Sequence, residues 1–150
     1  MQAGPRRDLS EAARSAIADA LTAGGKWLLT VEPWQTGGLE PLLAKWAVGV
    51  RGVYLVDPEN TAAGLGQTTL LLSQYQQHPV VAPLAGTPLI LPYATSVHLV
   101  AADARLEGAN IVLTGRDAFG ETNRGSRRPR YDKDADIRGQ LAVATAIDEP

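Results

Sequence analysis

Apolar residues recur along much of this chain at a spacing of two, which is the period of a half-buried β-strand. Val48 to Val56 shows the pattern well and stops at Asp57-Pro58. Strands are predicted over 26–31, 48–56, 68–75, 95–100, 111–114 and 141–147. About six to eight short strands and few helices are typical of a mainly β fold, here a small β-sandwich or barrel with extended loops or arms.

One stretch near the N-terminus has a clear helical period. Leu9 to Ala23 repeats apolar residues every three or four positions, which predicts an α-helix. Asp8 is the expected N-cap, with Glu11 completing a capping-box-like pair, and Gly24-Gly25 should end the helix. Because most of its apolar face is alanine, the helix can bury little area, and we expect it to depend on a docking partner for its stability.

Two further segments are less regular. Leu39 to Ala47 has Pro41 at a helix-starting position and leucines at helical spacing, although an extended conformation fits as well. Four prolines between His78 and Pro92 exclude a helix and a central strand, so that only a short edge strand such as Leu89 to Leu91 is expected there.

The chain length fits one domain. Its expected parts are an N-terminal arm and helix (1–25), a β-rich body (26–123), a charged loop or arm (124–140), and a closing strand with a tail (141–150). No cysteine is present, so disulfides and thiolate metal sites are excluded. There is no run long and apolar enough for a membrane span or a signal peptide, which indicates a soluble protein released inside a cell.

The candidate chemistry is sparse. His78 and His98 are the only histidines, and neither has a partner arrangement or metal-ligand spacing nearby. Asp132, Asp134 and Asp136 have the alternate spacing of a calcium loop, but the loop glycine and the closing glutamate are missing. The glycines at 64 and 66 lack the lysine of a phosphate loop. We therefore predict no catalytic residue, no cofactor and no metal.

The densest basic cluster follows residue 123. It consists of Arg124, Arg127, Arg128 and Arg130, followed by Tyr131. The planar guanidinium group suits carboxylates, phosphates and aromatic faces at interfaces, so these five residues are predicted to bind a partner. The alternatives are a solvated loop balanced by the nearby aspartates, or a nucleic-acid contact. A net charge of −2 argues against a surface built for phosphate backbones, so no specific nucleic acid is expected.

The segment from Tyr93 to Arg124 contains two short strands, 95–100 and 111–114, joined by a connection over 103–110 and followed by a turn over 115–120. A β-hairpin is the simplest interpretation. This order of a strand, an Asp/Gly loop, a strand ending in Thr-Gly-x-Asp and a Gly turn with Glu-Thr resembles virion structural proteins of tailed bacteriophages. The matching residues are Thr95 to Val100, Asp103 to Gly108, Ile111 to Gly115, Asp117 and Gly120 to Thr122.

The resemblance implies a non-enzymatic protein of the virion, a capsid decoration (cement) protein that stabilises an assembled shell. The implied partners are the major capsid protein or other virion subunits, the implied location is the capsid surface after assembly in the host cytoplasm, and the implied assembly is a homo-oligomer, with a trimer favoured. A head-to-tail connector or tail protein is the alternative within the class, and a small-ligand-binding or enzymatic β-barrel is the alternative outside it. The chain departs from the pattern after Thr122, where a basic run replaces the expected apolar strand.

Overall fold

The computed structural model describes residues 7–101, 105–126 and 128–149. In chain order the elements are α1 (Glu11–Thr22), α2 (Glu40–Lys45), β1 (Val48–Val50), β2 (Tyr54–Val56), β3 (Thr69–Leu72), a 3₁₀ turn (Ala82–Leu84), β4 (Leu89–Pro92), β5 (Val97–Leu99), β6 (Glu107–Leu113), β7 (Phe119–Glu121), β8 (Ile137–Arg138) and β9 (Ala142–Asp148). The prediction of a small, mainly β fold with an N-terminal helix is confirmed.

The strands form small antiparallel sheets. Three sheets have two strands each and pair β1 with β5, β3 with β4, and β6 with β9, while β7 lies between β2 and β8 in a three-stranded sheet. The main core cluster is centred on Leu55, Leu70, Leu72 and Val112, which are almost completely buried. In the described part of the chain no helix is long and apolar enough to cross a membrane.

Helix α1 lies where the periodicity predicted it, but its start differs. The N-cap is Ser10, whose hydroxyl accepts from Ala13 N at 3.2 Å. The expected cap at Asp8 is therefore wrong. At the other end, Gly24 has φ +82°, and its N–H and that of Gly25 bond back to the last turn at 2.9 and 2.8 Å. The predicted glycine stop is thus confirmed as a Schellman-type end.

The segment after α1 corrects another prediction. Residues 26–31 form no strand, and apart from the half-buried Leu29 and Val31 they are exposed, so the expected buried strand is wrong. Trp27 remains 40% exposed and Leu28 89%. An apolar run forms a strand only where another strand can pair with it, and none of the described strands pairs with these residues.

The predicted strand over 48–56 is two strands with an interruption at 51–53. The hydroxyl of Thr95 fills the interruption and lies 2.8 Å from both Arg51 O and Val53 O. This contact joins the sheet of β1 and β5 to the sheet of β2, so the chain turns from one sheet to the next without a loop. The stop at Asp57 and the short helix α2 agree with the sequence.

Strand β3 is bonded along both edges. On the side away from β4, the N–H of Leu71 donates to Asn60 O at 2.7 Å, and Thr69 O accepts from Ala62 N at 2.9 Å. The register places Leu71 opposite Ile90 and Thr69 opposite Pro92. Alternate residues of an antiparallel strand bond to opposite sides, so Ile90 and Pro92 turn their backbone groups away from β3.

The outer edge of β4 is therefore poor in hydrogen-bond donors. By the same alternation its outward positions are 88, 90 and 92, and proline occupies the first and the last. Only Ile90 has an N–H to offer there. Proline at outward positions prevents another strand from adding to a sheet. The predicted short edge strand in this proline-rich segment is confirmed, but the exclusion of a helix is wrong in one place, because Ala82–Leu84 form a 3₁₀ helix around Pro83.

The hairpin predicted within 93–124 is wrong. The two strands exist as β5 and β6, but β5 pairs with β1 and β6 pairs with β9. Strand β6 also begins at Glu107, inside the predicted connection, and β7 begins at Phe119, inside the predicted turn. Each strand satisfies its backbone groups with a partner distant in sequence, which strand periodicity alone does not specify.

Candidate partner-binding surface

The predicted partner-binding residues lie in two settings. The guanidinium of Arg124 stacks over the ring of Trp34, 4.8 Å from its centroid. The Tyr131 ring packs edge-on against Phe119, with centroids 5.9 Å apart, and Arg138 covers it at 5.3 Å. Arg124 and Tyr131 thus have aromatic and cationic partners within the chain. Arg127 lies outside the described residues.

Arg128 and Arg130 line a shallow cavity of about 210 Å³. The other walls are polar and acidic, and include Glu121, Asp132 and Asp136. Glu121 is 5% exposed, and its Oε1 accepts from the backbone of Asn123 at 2.9 Å. The two arginines therefore lie beside carboxylates that the fold itself supplies.

The aspartates of the calcium-like spacing are used as backbone acceptors. Asp136 accepts from Thr122 N at 3.0 Å and from Asp132 N at 2.9 Å. Asp132 in turn accepts from Asp134 N at 3.0 Å. Within 7–101, 105–126 and 128–149, no group of three or more metal-ligating side chains is placed to hold a metal ion. These carboxylates order the loop that forms one wall of the cavity.

An aromatic cluster borders this cavity. Tyr54 is buried at its centre, and the rings of Trp34 and Tyr93 meet it edge-on at 5.9 and 6.3 Å. The Tyr54 hydroxyl donates to Ser126 O at 3.1 Å, which ties the aromatic cluster to the cavity. Burial raises the pKa of Tyr54, and the charge of Glu121 adds to the effect. The hydroxyl therefore stays protonated and keeps donating at neutral pH.

Two of these aromatic residues have unusual backbone conformations. Trp34 has φ +58° and Tyr93 has φ +49°, in the left-handed region that bulky side chains rarely adopt. Each such residue costs roughly 1–2 kcal/mol relative to a right-handed conformation. The surrounding contacts hold both rings in place against this cost. We call Trp34, Tyr93, Arg124, Arg128 and Arg130 the aromatic-arginine surface.

A buried carboxylate positions the chain segment that leads into this surface. Asp57 is fully buried; its Oδ2 accepts from Gly115 N at 2.7 Å and from Asn60 Nδ2 at 2.8 Å. Thr114, also fully buried, accepts from Leu141 N at 2.8 Å. Together these contacts fix the turn from β6 into β7, the strand that carries Glu121. We call Asp57 and Thr114 the polar anchor.

His98 lies on β5, as predicted, with its imidazole over Gly49 of β1. A Cβ at Gly49 would lie 2.4 Å from the ring, so the glycine makes room for the histidine. Burial lowers the pKa of His98, and the nearby charge of Arg51 lowers it further. His78 is different: its side chain is 14% exposed, and its Nε2 lies 3.6 Å from Oδ2 of the exposed Asp148.

The sequence indicated Arg128 and Arg130 but missed Trp34 and Tyr93. Both aromatics stand beside turn residues, Trp34 before Gln-Thr-Gly-Gly and Tyr93 after Pro92. A large aromatic residue at a turn position is the one signal that could have drawn attention to them.

No protein-family model, no curated protein and no solved structure matches this chain.

Proposed function

We propose that this chain is a non-enzymatic virion structural protein, a capsid decoration protein that binds the assembled shell of a tailed bacteriophage as a homo-oligomer. Two things support the proposal: the resemblance of residues 93–124 to virion structural proteins, and the aromatic-arginine surface. The observation that carries it is the stacking of Arg124 on Trp34 beside the exposed ring of Tyr93.

The composition of this surface favours a protein partner. Trp, Tyr and Arg are the residues most enriched among those that dominate binding energy at protein interfaces. Here the aromatic cluster is linked to the cavity that Arg128 and Arg130 line through the hydrogen bond from Tyr54 to Ser126 O, so aromatic and charged groups belong to one region. A capsid subunit that offers carboxylates around an apolar side chain would complement both parts.

The surface is ordered before any partner binds. The Trp34 ring is held between Tyr54 and Arg124, and Tyr54 is fixed by its bond to Ser126. Association costs less entropy when side chains are already immobilised. The strained backbone at Trp34 and Tyr93 fits this role, because strain persists only where the surroundings determine the conformation.

A decoration protein stabilises a shell by mass action. Because it binds the assembled lattice and not the separated subunits, each occupied site shifts the equilibrium toward the intact shell. A ligand concentration of 100 times the dissociation constant contributes about 2.7 kcal/mol per site. The proposal therefore needs only moderate affinity at each site, repeated over the capsid.

The size of the cavity also favours docking over small-ligand binding. Pockets for small molecules and cofactors have volumes of about 300–1,000 Å³ and are mostly apolar. The cavity beside Arg128 has about 210 Å³ and a largely polar lining. Its dimensions suit the tip of a side chain from a neighbouring protein.

The test is binding to purified expanded shells of the phage that encodes this chain. In a co-sedimentation assay the protein should bind saturably, and the double variant Arg128→Ala/Arg130→Ala should bind at least ten-fold more weakly, about 1.4 kcal/mol. Arg116→Ala, an exposed arginine outside the surface, is the matched control and should bind normally. Circular dichroism checks that both variants fold.

Absence of sedimentation with shells would overturn the proposal. Binding that is unchanged in the double variant and in Trp34→Ala would overturn the assignment of this surface. Binding to purified tails or connectors instead of shells would show the neighbouring role within the virion, and a mass in solution that corresponds to a large ring would point the same way.

A further inference from the structure

The N-terminal arm, which we define as residues 7–31, carries an apolar groove that its own side chains leave open. The groove lies between the C-terminal half of α1 and the segment that follows it, and has a volume of about 120 Å³. Its lining is almost entirely apolar and consists of Ile17, Ala20, Leu21, Gly25, Lys26 and Trp27. An enclosed cavity of about 150 Å³ lined by Leu, Ile and Phe binds benzene; this groove is smaller and open, and its volume suits part of an aliphatic side chain.

A side chain of that kind stands directly beside the groove. Leu28 is 89% exposed, the largest exposed fraction among the large hydrophobic side chains of the described residues. It follows Trp27, which forms part of the groove wall. A single exposed leucine is ordinary on a protein surface. Here the leucine lies next to an open apolar groove, so one chain carries both an exposed apolar side chain and a groove that such a side chain could fill.

Helix α1 is capped at both ends, but the face that it packs against the rest of the chain is only partly buried. Ser10 caps its start and Gly24 closes its end, yet none of its twelve residues is buried. Ile17 and Ala18 contact the small cluster formed by Leu39, Leu42 and Leu43, and among the described residues no helix or strand is placed over the groove. A helix of this length is marginal in water without packing, so the arm gains stability when its groove is occupied.

We propose that a second copy of this chain occupies the groove and that Leu28 of each copy inserts into the groove of its neighbour. This interface rests on the proposed function only for the expectation of a homo-oligomer; the groove and the exposed leucine are independent of it. Because knob and groove lie on the same arm, each copy in a closed ring gives one contact and receives one. Approach is open at Gly24, where a Cβ would meet nothing within 4 Å.

A second copy is the occupant that the chain itself supplies, because the exposed Leu28 and the groove lie on the same arm. A stable pairwise interface buries about 800 Å² per partner, and a groove lined by six residues with one leucine provides only part of that. In a ring, every copy makes two such contacts and the closed assembly adds their energies. The assembly should therefore depend on concentration and dissociate on dilution.

The lack of cysteine in the chain allows a direct test of this geometry. One full-length variant carries Leu28→Cys and another carries Ala20→Cys in the groove. When the two are mixed under mild oxidation, a disulfide between chains should form at least ten-fold faster than between Ala20→Cys and Leu65→Cys. Leu65 is the matched control because it is also exposed, at 59%, but lies in a different loop.

Mass measurement in solution provides the second readout. Wild-type protein should show a mass that is a multiple of 15.9 kDa at high concentration. Leu28→Ser should raise the concentration needed for association at least ten-fold, and Leu65→Ser should leave it unchanged. Both leucines are exposed, so neither change should impair folding.

Three results would overturn the inference: a wild-type chain that stays monomeric at its highest soluble concentration, association that does not respond to Leu28→Ser, or cross-linking no faster than that of the Leu65 control. Shell binding separates this failure from that of the proposed function. A monomer that still binds shells would refute only the Leu28 contact, whereas an oligomer that ignores shells would refute only the role in decoration.

Discussion

The polar anchor and the N-terminal arm show two different ways in which this chain holds its structure. At the anchor, Asp57 and Thr114 are completely buried and bond to backbone groups from distant parts of the chain. In the arm, a helix with good caps at both ends has no buried residue. Local signals define the arm, and long-range contacts define the anchor.

The comparison shows that where an element forms and how much it stabilises the fold are determined by different interactions. A capped helix with an apolar stripe forms where the sequence predicts it, but its contribution to the fold depends on what covers it. A buried carboxylate shows no periodicity at all, yet loss of Asp57 would leave two backbone N–H groups, those of Glu59 and Gly115, without their acceptor. We therefore expect stability to be concentrated at the anchor and assembly to be concentrated in the arm.

The largest effect should come from the anchor. Asp57→Ala removes the acceptor for Gly115 N and Asn60 Nδ2 and should lower the free energy of unfolding by about 3 kcal/mol or more. Asp57→Asn keeps one acceptor oxygen and should lose less. Urea denaturation measures both. A loss below about 1 kcal/mol for Asp57→Ala would contradict the role of the anchor.

A smaller effect should appear as a pH dependence of the free energy of unfolding, due to His98 in the sheet of β1 and β5. The pKa of His98 is lowered in the folded state, mainly by burial, so the unfolded chain binds a proton more readily than the folded chain. Stability due to neutral His98 is therefore present above the unfolded pKa of about 6.5 and is lost as pH falls through the lower folded value.

Thermal unfolding of wild type and His98→Gln between neutral and mildly acidic pH measures this effect. The wild type should lose stability on acidification more steeply than the variant. Glu40, whose pKa is lowered mainly by its bond from Thr36, affects stability only below its ordinary value of 4.5, so the two groups act in different pH ranges. Equal slopes in both proteins would contradict the prediction for His98.

In the arm, even a severe local change should have a limited global effect. Ala16→Pro interrupts α1, which costs about 3 kcal/mol within a helix. Because α1 contributes only partly buried side chains, Ile17 and Ala18, to the small cluster around Leu39, unfolding of the remaining protein should shift by no more than about 1 kcal/mol. Hydrogen exchange should show loss of protection confined to the arm. A global loss as large as that of Asp57→Ala would remove the contrast between the two regions.

The smallest effect tests the strained backbone of the aromatic-arginine surface. Tyr93 has φ +49° and an exposed ring, so Tyr93→Ala keeps the strain and loses the ring, whereas Tyr93→Gly removes both. The glycine variant should be more stable than the alanine variant by about 0.5 kcal/mol, since relief of strain slightly exceeds the entropy that glycine adds to the unfolded chain. Chemical denaturation compares them. An alanine variant as stable as the glycine variant would mean that the conformation carries no strain.

Local patterns therefore predicted the position of several elements well. Helix α1, helix α2 and the closing strand β9 lie within a few residues of the predicted bounds, because caps, prolines and periodicity act over short distances. The edge position of β4 was also predictable, since proline removes a backbone donor whatever the surroundings.

The pairing of strands was not predictable by the same means. Alternation in 95–100 and 111–114 indicated strands, but it does not specify which strand lies alongside, and both proved to pair with distant partners. Trp34 joined the candidate surface through a left-handed backbone and contacts from Tyr54 and Arg124, and none of these appears in the periodicity. Arg128 and Arg130 were predicted because a cluster of charged residues can be recognised from the sequence alone.

The prolines on the outer edge of β4 also limit how copies of this chain can associate. Leu71 and Ile90 face each other on the exposed side of that sheet, and an apolar sheet with an open edge is prone to indefinite growth into fibrils. With proline at 88 and 92, a strand from another molecule finds a single N–H to pair with. Growth by addition of another strand at this edge is thereby disfavoured.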